Sequence, residues 1–411
     1  MSRFEVFHKK RCRLCDSNKL KTVYPLNPQP IGDDYAKNKN KRQKLYPLNL
    51  DLCSKCKFVQ LSHVLNPDIV YGKYLYVTQT SSGLPEHFRN LVSHLFKKKI
   101  IKKNFKVLEI GSNDGTLLNF IKSYGCKVLG VDPAKELANK TKCKTIIGKF
   151  DNKLSKKIKK DYGPQAVIIA NNVIANIDDL NDVFKGISSL LKSSGYFVME
   201  TFSLKGVIEK NLLDNIYHEH LSYFTIKSLI KFAKKFGLNI YSADHLSVKG
   251  GSIRFIFSRE KRKINKFSLE KNILIEKKLG LGSSSSFKKL KSKNNLLKKK
   301  ITSFIHSKKD INRKFVGYGA SIGTTTLLYE FGLGKMVTHL FDDEKRRHNL
   351  YSPGHKIKVL SPRKIKSMEK FYIIIFAWRY YKIILKKSKK HIKKDDIFII
   401  PLPKFKILKN E

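Results

Sequence analysis

Cys12-Arg-Leu-Cys15 and Cys53-Ser-Lys-Cys56 are two CxxC knuckles separated by 37 residues. A knuckle of this spacing turns two thiolates toward one ion, and two knuckles complete a closed tetrahedral zinc site. With no open coordination position, such a site is structural. Residues 1–60 are short, polar and turn-rich, with Pro25, Pro28, Pro30, Gly32 and Pro47 between the cysteine pairs. They hold little core of their own, so the metal is expected to supply much of their folding energy. Cys126 and Cys143 stand alone in apolar segments and read as inert core.

VLEIGSNDGTLL (107–118) has the form of a strand, a glycine loop and a helix start. Gly111 and Gly115 let the backbone turn tightly and approach a ligand. Their GxxxG spacing is not the GxGxxG of dinucleotide enzymes. Glu109 stands two residues ahead of the first glycine and suits a cationic ligand better than a pyrophosphate. Ser112, Asn113 and Asp114 fill the loop, and Asp132 ends the next apolar run, where a carboxylate takes both hydroxyls of a ribose. Together they suit S-adenosylmethionine, which has a ribose, a sulfonium and an amine but no phosphate. NNVIAN (171–176) follows another buried apolar run at the edge where ligands gather. Asn171 and Asn172 either face the cofactor or cap a helix.

NIYHEHLSYF (215–224) packs Tyr217, His218, Glu219 and His220 side by side in a chain with 12 histidines. Three chemistries compete for this cluster. A metal site needs a third ligand from elsewhere, and the HExxH helix spacing is absent. A polar structural turn is the second reading. Proton transfer is the third, since His beside Glu gives a tunable base and Tyr can donate to a developing oxyanion. Tyr76, in YLYVTQTSS (74–82), either reaches over the same region or packs in the core. KGGSIRF (249–255) and GYGASIGTTTLL (317–328) are glycine loops assigned to a second α/β unit. The latter is either a phosphate cradle at a helix N-terminus or an ordinary strand-to-helix turn.

The elements that must position these residues alternate regularly. KVLEIG, KVLGVD, KTIIG, AVIIANN and YFVMETF read as strands, separated by helical segments such as TLLNFIKSYG and DDLNDVFKGISSLLKSSG. Such alternation predicts a parallel, doubly wound sheet. PEHFRNLVSHLFKKKIIKK (85–103) precedes it as an amphipathic helix. After a charged stretch at 258–310 the alternation restarts with RKFVGYGAS, MVTHLFDD, EKFYIIIFAW and DIFIIPLP. At 411 residues the chain is too long for one ordinary core. The expected domains are 1–79, 80–245 and 246–411.

The formal net charge of +51 raises the question of a nucleic-acid or membrane partner. The excess is lysine, however: 13 of the 84 basic residues are arginine. The lysines are spread along the whole chain among many Asn and Ile, as compositional bias produces. No nucleic-acid partner is expected. No run reaches the roughly 18 apolar residues of a membrane span, and the N-terminus lacks a signal-peptide core. The expected location is cytoplasmic.

In their order, CRLC…CSKC, EIGSNDGTLL, NNVIANIDDL, IYHEHLSYF, KGGSIR and GYGAS…TTLL resemble the three-part sugar C-methyltransferases over nearly the whole chain. That resemblance implies an α/β protein with a small N-terminal zinc-binding module. A central doubly wound class I methyltransferase domain, Rossmann-like, would follow, then a smaller Rossmann-like C-terminal domain that binds substrate. It implies S-adenosylmethionine as cofactor and a nucleotide-linked 4-keto-6-deoxyhexose, methylated at C3, as substrate. Tyr217, Glu219 and His220 match the family's active-site positions, with His220 as general base, and Tyr76 matches the tyrosine of its Y-x-Y stretch. One departure is Ile322-Gly323-Thr324-Thr325, where many relatives carry a lysine and a Gly-Asn-Thr stretch. Two alternatives stand beside this reading: methylation of oxygen or nitrogen on another small acceptor, and a zinc-ribbon nucleic-acid-binding protein with a vestigial cofactor fold.

Overall fold

The computed structural model describes residues 4–71, 77–79, 81, 83–139, 141–264, 266–308, 313–368, 370–388, 391 and 396–409. Its central sheet has seven strands: β1 (Lys106–Ile110), β2 (Lys127–Asp132), β3 (Thr145–Ile147), β4 (Gln165–Asn171), β5 (Leu191–Phe202), β6 (Asn239–Leu246) and β7 (Ser252–Ser258). Their spatial order is β3-β2-β1-β4-β5-β7-β6. β1 to β5 pair in parallel, and β7 runs antiparallel between β5 and β6.

β4 reads QAVIIAN and is buried at every residue, as a strand covered on both faces must be. Val107, Val167, Ile169 and Val198 face the helix Leu84–Lys97, which buries Leu84, Phe88, Leu91, Val92 and Leu95 against them. Leu108, Ile168, Phe197 and Met199 pack with Phe184 on the opposite side. The helices on that side, Asn152–Tyr162 and Leu180–Leu190, start at Asp151 and Asp179. Each of these side chains accepts from an exposed backbone N–H of the first turn.

The central sheet extends to Ser258, beyond the 80–245 span read from the sequence, and KGGSIRF leads into it rather than into the C-terminal unit. All seven residues of SIRFIFS are buried, in a strand paired along both edges. The C-terminal sheet has six strands, in order Lys358–Leu360, Val337–Phe341, Lys314–Tyr318, Phe371–Ile375, Ile397–Ile400 and Lys406–Lys409. Only the last is antiparallel.

The N-terminal region has more core than its prolines suggest. Leu20–Gln29, Tyr46–Cys53 and Val59–Leu61 form a sheet that buries Tyr24, Leu48, Leu50, Leu52 and Phe58. Pro25 and Pro28 lie in the edge strand, interrupted by register shifts, where a missing N–H costs no ladder bond. The fourth strand of this sheet is Ser222–Tyr223, immediately after YHEH. No described helix is long and apolar enough to cross a membrane.

Candidate active site

At the carboxyl end of β1 the chain turns through Gly111 and Gly115, both left-handed, at φ 74° and 76°. A Cβ at Gly111 would collide with the Val173 side chain, and one at Gly115 with Thr141. Asn113 is also left-handed, at φ 50°. The loop is pinned from two sides. Asp132 accepts N–H bonds from Asn113 and Ala134, both at 2.8 Å. Thr78 and Gln79 donate backbone N–H groups to the side chains of Asn113 and Asp114, at 3.0 and 2.8 Å.

Within this cradle, polar atoms are left without partners. One carboxylate oxygen of Glu109, the Ser112 hydroxyl and both amide atoms of Asn171 are buried and unpaired. Burial, then the charges of Asp132 and Asp114, push the Glu109 pKa well above the usual carboxylate range. A cation arriving there relieves the repulsion and fills the unpaired oxygen. Asp132, each of whose oxygens accepts one backbone bond, keeps lone pairs for ribose hydroxyls. The residues therefore fit a cationic, ribose-bearing group. Asn172, at φ 56°, donates its N–H to the Glu200 carbonyl at 2.7 Å.

The Sγ atoms of Cys12, Cys15, Cys53 and Cys56 all lie within 4.8 Å of one another, a spread one tetrahedral ion accommodates. Arg13, inside the first knuckle, is fully buried. Its guanidinium donates to the Leu61 carbonyl and to Asp178 of the NIDDL stretch, both at 2.9 Å. Leu61 in turn donates its N–H to the Leu221 carbonyl at 2.9 Å, and Val59 and Gln60 pair with Tyr223 and Ser222. The metal-binding sheet thus grips the chain directly after YHEH.

YHEH splits into two halves. Tyr217 OH lies 2.7 Å from His220 Nε2, while His220 Nδ1 lies 2.8 Å from the Asn215 carbonyl. A carbonyl only accepts, so the proton sits on Nδ1 and Nε2 carries the lone pair. Phe202 stacks on the other face of the ring, with centroids 4.0 Å apart. Burial, with smaller contributions from the Lys249 and Arg379 charges, pushes the His220 pKa down to about 3. His218 and Glu219 turn the other way. His218 packs edge-to-face on Tyr46 at 6.0 Å. Glu219 lines a cavity of ≈420 Å³ with Ile31, Tyr46 and Val70, and burial followed by the Asp33 charge pushes its pKa up to about 8. The structure joins Tyr217 to His220, and Asn215 rather than Glu219 orients that histidine. Tyr76 lies outside the described residues.

A second feature, not visible in the sequence, holds Asn215. Arg379 of the C-terminal domain makes a two-pronged ion pair with Asp214, at 2.7 and 2.8 Å, and donates to Asn215 Oδ1 at 3.0 Å. Trp378 Nε1 adds a bond to Asp214 at 3.1 Å. The helix Ile322–Phe331 braces the same strip, with Gly323 against Asp214 and Thr326 donating to the Ile216 carbonyl. Asp342 accepts the Ala320 N–H of the preceding loop. That first turn is filled by protein and faced by an acid, so it is a strut rather than a phosphate cradle.

Three families match consecutive parts of the chain: a zinc binding domain over residues 12–71, a methyltransferase domain over 82–243, and a C-methyltransferase C-terminal domain over 247–403. The C-methyltransferase NovU of Streptomyces niveus is 26% identical over 408 residues, covering 97% of each chain. Their order along the chain is that of a C-methyltransferase with a zinc-binding and a methyltransferase domain ahead of its C-terminal domain. The cysteine cluster within the zinc-binding match is placed to hold a structural zinc, and the glycine-loop cradle of the methyltransferase match fits S-adenosylmethionine as methyl donor. Among solved structures, a magnesium protoporphyrin IX methyltransferase from Synechocystis PCC 6803 with bound SAH is similar over 43% of this chain and 83% of that chain, at 14% identity and TM-score 0.34. A 1,6-didemethyltoxoflavin-N1-methyltransferase from Burkholderia thailandensis is similar over 44% and 79%, at 14% identity and TM-score 0.33.

Proposed function

We propose that this C-methyltransferase adds a methyl group at C3 of a nucleotide-linked 4-keto-6-deoxysugar by way of an enolate. The observation that carries the reading is the Tyr217–His220 pair, with Nε2 as the one ring nitrogen holding a lone pair. S-adenosylmethionine, when bound, supplies an electrophilic methyl group on a sulfonium. Glu109, Ser112 and Asn171 offer it the unpaired buried atoms of the glycine-loop cradle, with Asp132 for its ribose.

A proton on the carbon beside a ketone is acidified because its loss delocalises charge onto the carbonyl oxygen. In this reading His220 Nε2 takes that proton, and the C3 electron pair would form the new carbon–carbon bond as the bond from methyl to sulfur breaks, its electrons staying on the departing sulfur. Tyr217, released from Nε2, donates its hydroxyl to the enolate oxygen. Glu219, kept protonated by burial at neutral pH, faces the ≈420 Å³ cavity on the other side of the turn and takes no part in this proton transfer. Phe202 shields the imidazole from water on its far face.

The test uses labelled S-adenosylmethionine and a panel of nucleotide 4-keto-6-deoxysugars. Product mass spectrometry is expected to place the label on carbon, with His220→Ala slowing transfer by about 10²–10⁴-fold while S-adenosylhomocysteine still binds. Label on oxygen or nitrogen would sink the enolate reading. So would near-normal carbon methylation by His220→Ala.

A further inference from the structure

Across β4, β5 and β7, Val167, Ile169, Val198 and Ile256 line the sheet face that packs on the helix Leu84–Lys97. Side chains alternate along a strand, so the residues two places nearer the carboxyl edge share this face. They are Asn171, Glu200 and Arg254, side by side in register. The Glu200 side chain is 1% exposed. Its Oε1 accepts from His87 Nε2 at 2.6 Å, and its Oε2 accepts from Arg254 Nε and Nη2 at 2.9 and 2.7 Å. Burial works against this charge, but the His87 and Arg254 bonds outweigh it and hold the Glu200 pKa below the ordinary carboxylate range. An ionised carboxylate only accepts, so His87 carries its proton on Nε2.

A buried ion pair repays little more than its own desolvation, and apolar side chains would pack here as stably. The cluster has a positional consequence instead. Asn171 stands beside Glu200 in register, about 4.8 Å away, and both atoms of its buried amide are unpaired. A Glu200 oxygen that lost its His87 donor would find the Asn171 amide N–H as its nearest substitute. With His87 and Arg254 in place, both oxygens of Glu200 are engaged and the amide stays open to a ligand. The same bond locates the cover of the glycine-loop cradle. The helix starts at Gly83 without a side-chain cap, and His87 fastens its first turn to β5. Thr78 and Gln79, just ahead of it, are the residues whose N–H groups hold Asn113 and Asp114.

We propose that His87, acting through Glu200, is a positioning residue that keeps the Asn171 amide free for the amino-acid end of S-adenosylmethionine. The inference rests on the cofactor site proposed above and adds which end of the cofactor reaches β4. Asp132 ends β2 and Asn171 ends β4, two strands and about 10 Å apart, with Glu109 of β1 between them. With the ribose at Asp132 and the sulfonium at Glu109, the ammonium and carboxylate of the methionine part arrive at Asn171. An amide meets both, its oxygen accepting from the ammonium and its nitrogen donating to the carboxylate.

His87→Gln and His87→Asn form a controlled pair. Both introduce a neutral amide, but the longer one reaches Glu200 with its nitrogen and the shorter one does not. Calorimetry on the full-length protein measures affinity for S-adenosylhomocysteine and for 5′-methylthioadenosine, which has the ribose and the sulfur but no amino-acid end. His87→Asn is expected to weaken S-adenosylhomocysteine about tenfold or more and 5′-methylthioadenosine less than about twofold. His87→Gln should recover most of the loss, and retained 5′-methylthioadenosine binding shows that the variants are folded. Asn171→Ser, measured alongside, should show the same selective loss. Unchanged S-adenosylhomocysteine affinity in His87→Asn would overturn the proposal. So would equal weakening of both ligands, which marks His87 as a support of the fold, or a His87→Gln variant as weak as His87→Asn. Equal affinities in Asn171→Ser and the unaltered protein would overturn the placing of the amino-acid end. If the unaltered protein bound neither ligand, the cofactor reading itself would fall, a result distinct from binding that the variants leave unchanged.

Discussion

His220 commits Nδ1–H to a backbone carbonyl and keeps one lone pair, on Nε2, in surroundings that hold its pKa at about 3. It therefore stays neutral across the physiological range, where an ordinary histidine would titrate. Glu219 has the opposite environment and titrates near 8. In the proposed reaction kcat/KM is expected to be level between about pH 5 and 8, because His220 stays neutral throughout. Glu219→Gln, which cannot ionise, should leave that profile unchanged. A break near pH 6.5 that disappears in His220→Gln would contradict the neutral-base assignment. The residue types of YHEH by themselves left a metal site, a structural turn and proton transfer open, and the resemblance of the stretch to an active-site motif favoured the last. Which partner each side chain takes was not legible. Neighbouring side chains in an irregular turn point in different directions, and the turn is set by Asp214 and Arg379, 165 residues apart in sequence.

The strands and helices of the central sheet were legible because burial on both faces leaves uninterrupted apolar runs, and amphipathic helices leave a period of about 3.6. Phe184 illustrates what those periods achieve in packing. It is fully buried, with Phe197 at 5.7 Å and Phe232 at 4.9 Å in edge-to-face contact. Phe184→Ala is expected to cost about 3–5 kcal/mol, measured as a lowered unfolding midpoint of the central domain. The N-terminal sheet was not legible, since its prolines read as turns and its fourth strand comes from residues 222–223. That pairing gives zinc a role at a distance. Chelation should loosen the Val59–Leu61 strand and with it the chain after YHEH. Methyl transfer is expected to fall much more than S-adenosylhomocysteine affinity, and zinc should restore it. Equal loss of both would mean that the metal holds the whole fold rather than this sheet.

Across the whole molecule, buried titratable groups set opposing slopes of stability with pH. His218 and His220 have folded pKa values of about 4 and 3, below that of an unfolded histidine. The unfolded chain therefore binds more protons below about pH 6.5. Their contribution is complete above that pH and is lost as pH falls, at up to about 1.4 kcal/mol per pH unit for each group. Glu219 is raised to about 8, so its contribution is lost as pH rises from about 4.5 toward 8. Thermal midpoints should peak near pH 6.5, with the alkaline side flattened in Glu219→Gln. A midpoint that rises steadily to pH 8 would show that Glu219 ionises at its ordinary value. Neighbours along the chain were enough for the paired CxxC knuckles, the glycine loop with its acids, the βα alternation and the YHEH cluster. Only the tertiary packing settled which cavity Glu219 lines, that Arg13 ties the first CxxC knuckle to Leu61 and Asp178, and that Arg379 reaches across domains to the turn holding His220. Those contacts join residues more than 40 positions apart, and no local spacing records them because only the packing of the three domains brings them within hydrogen-bond reach.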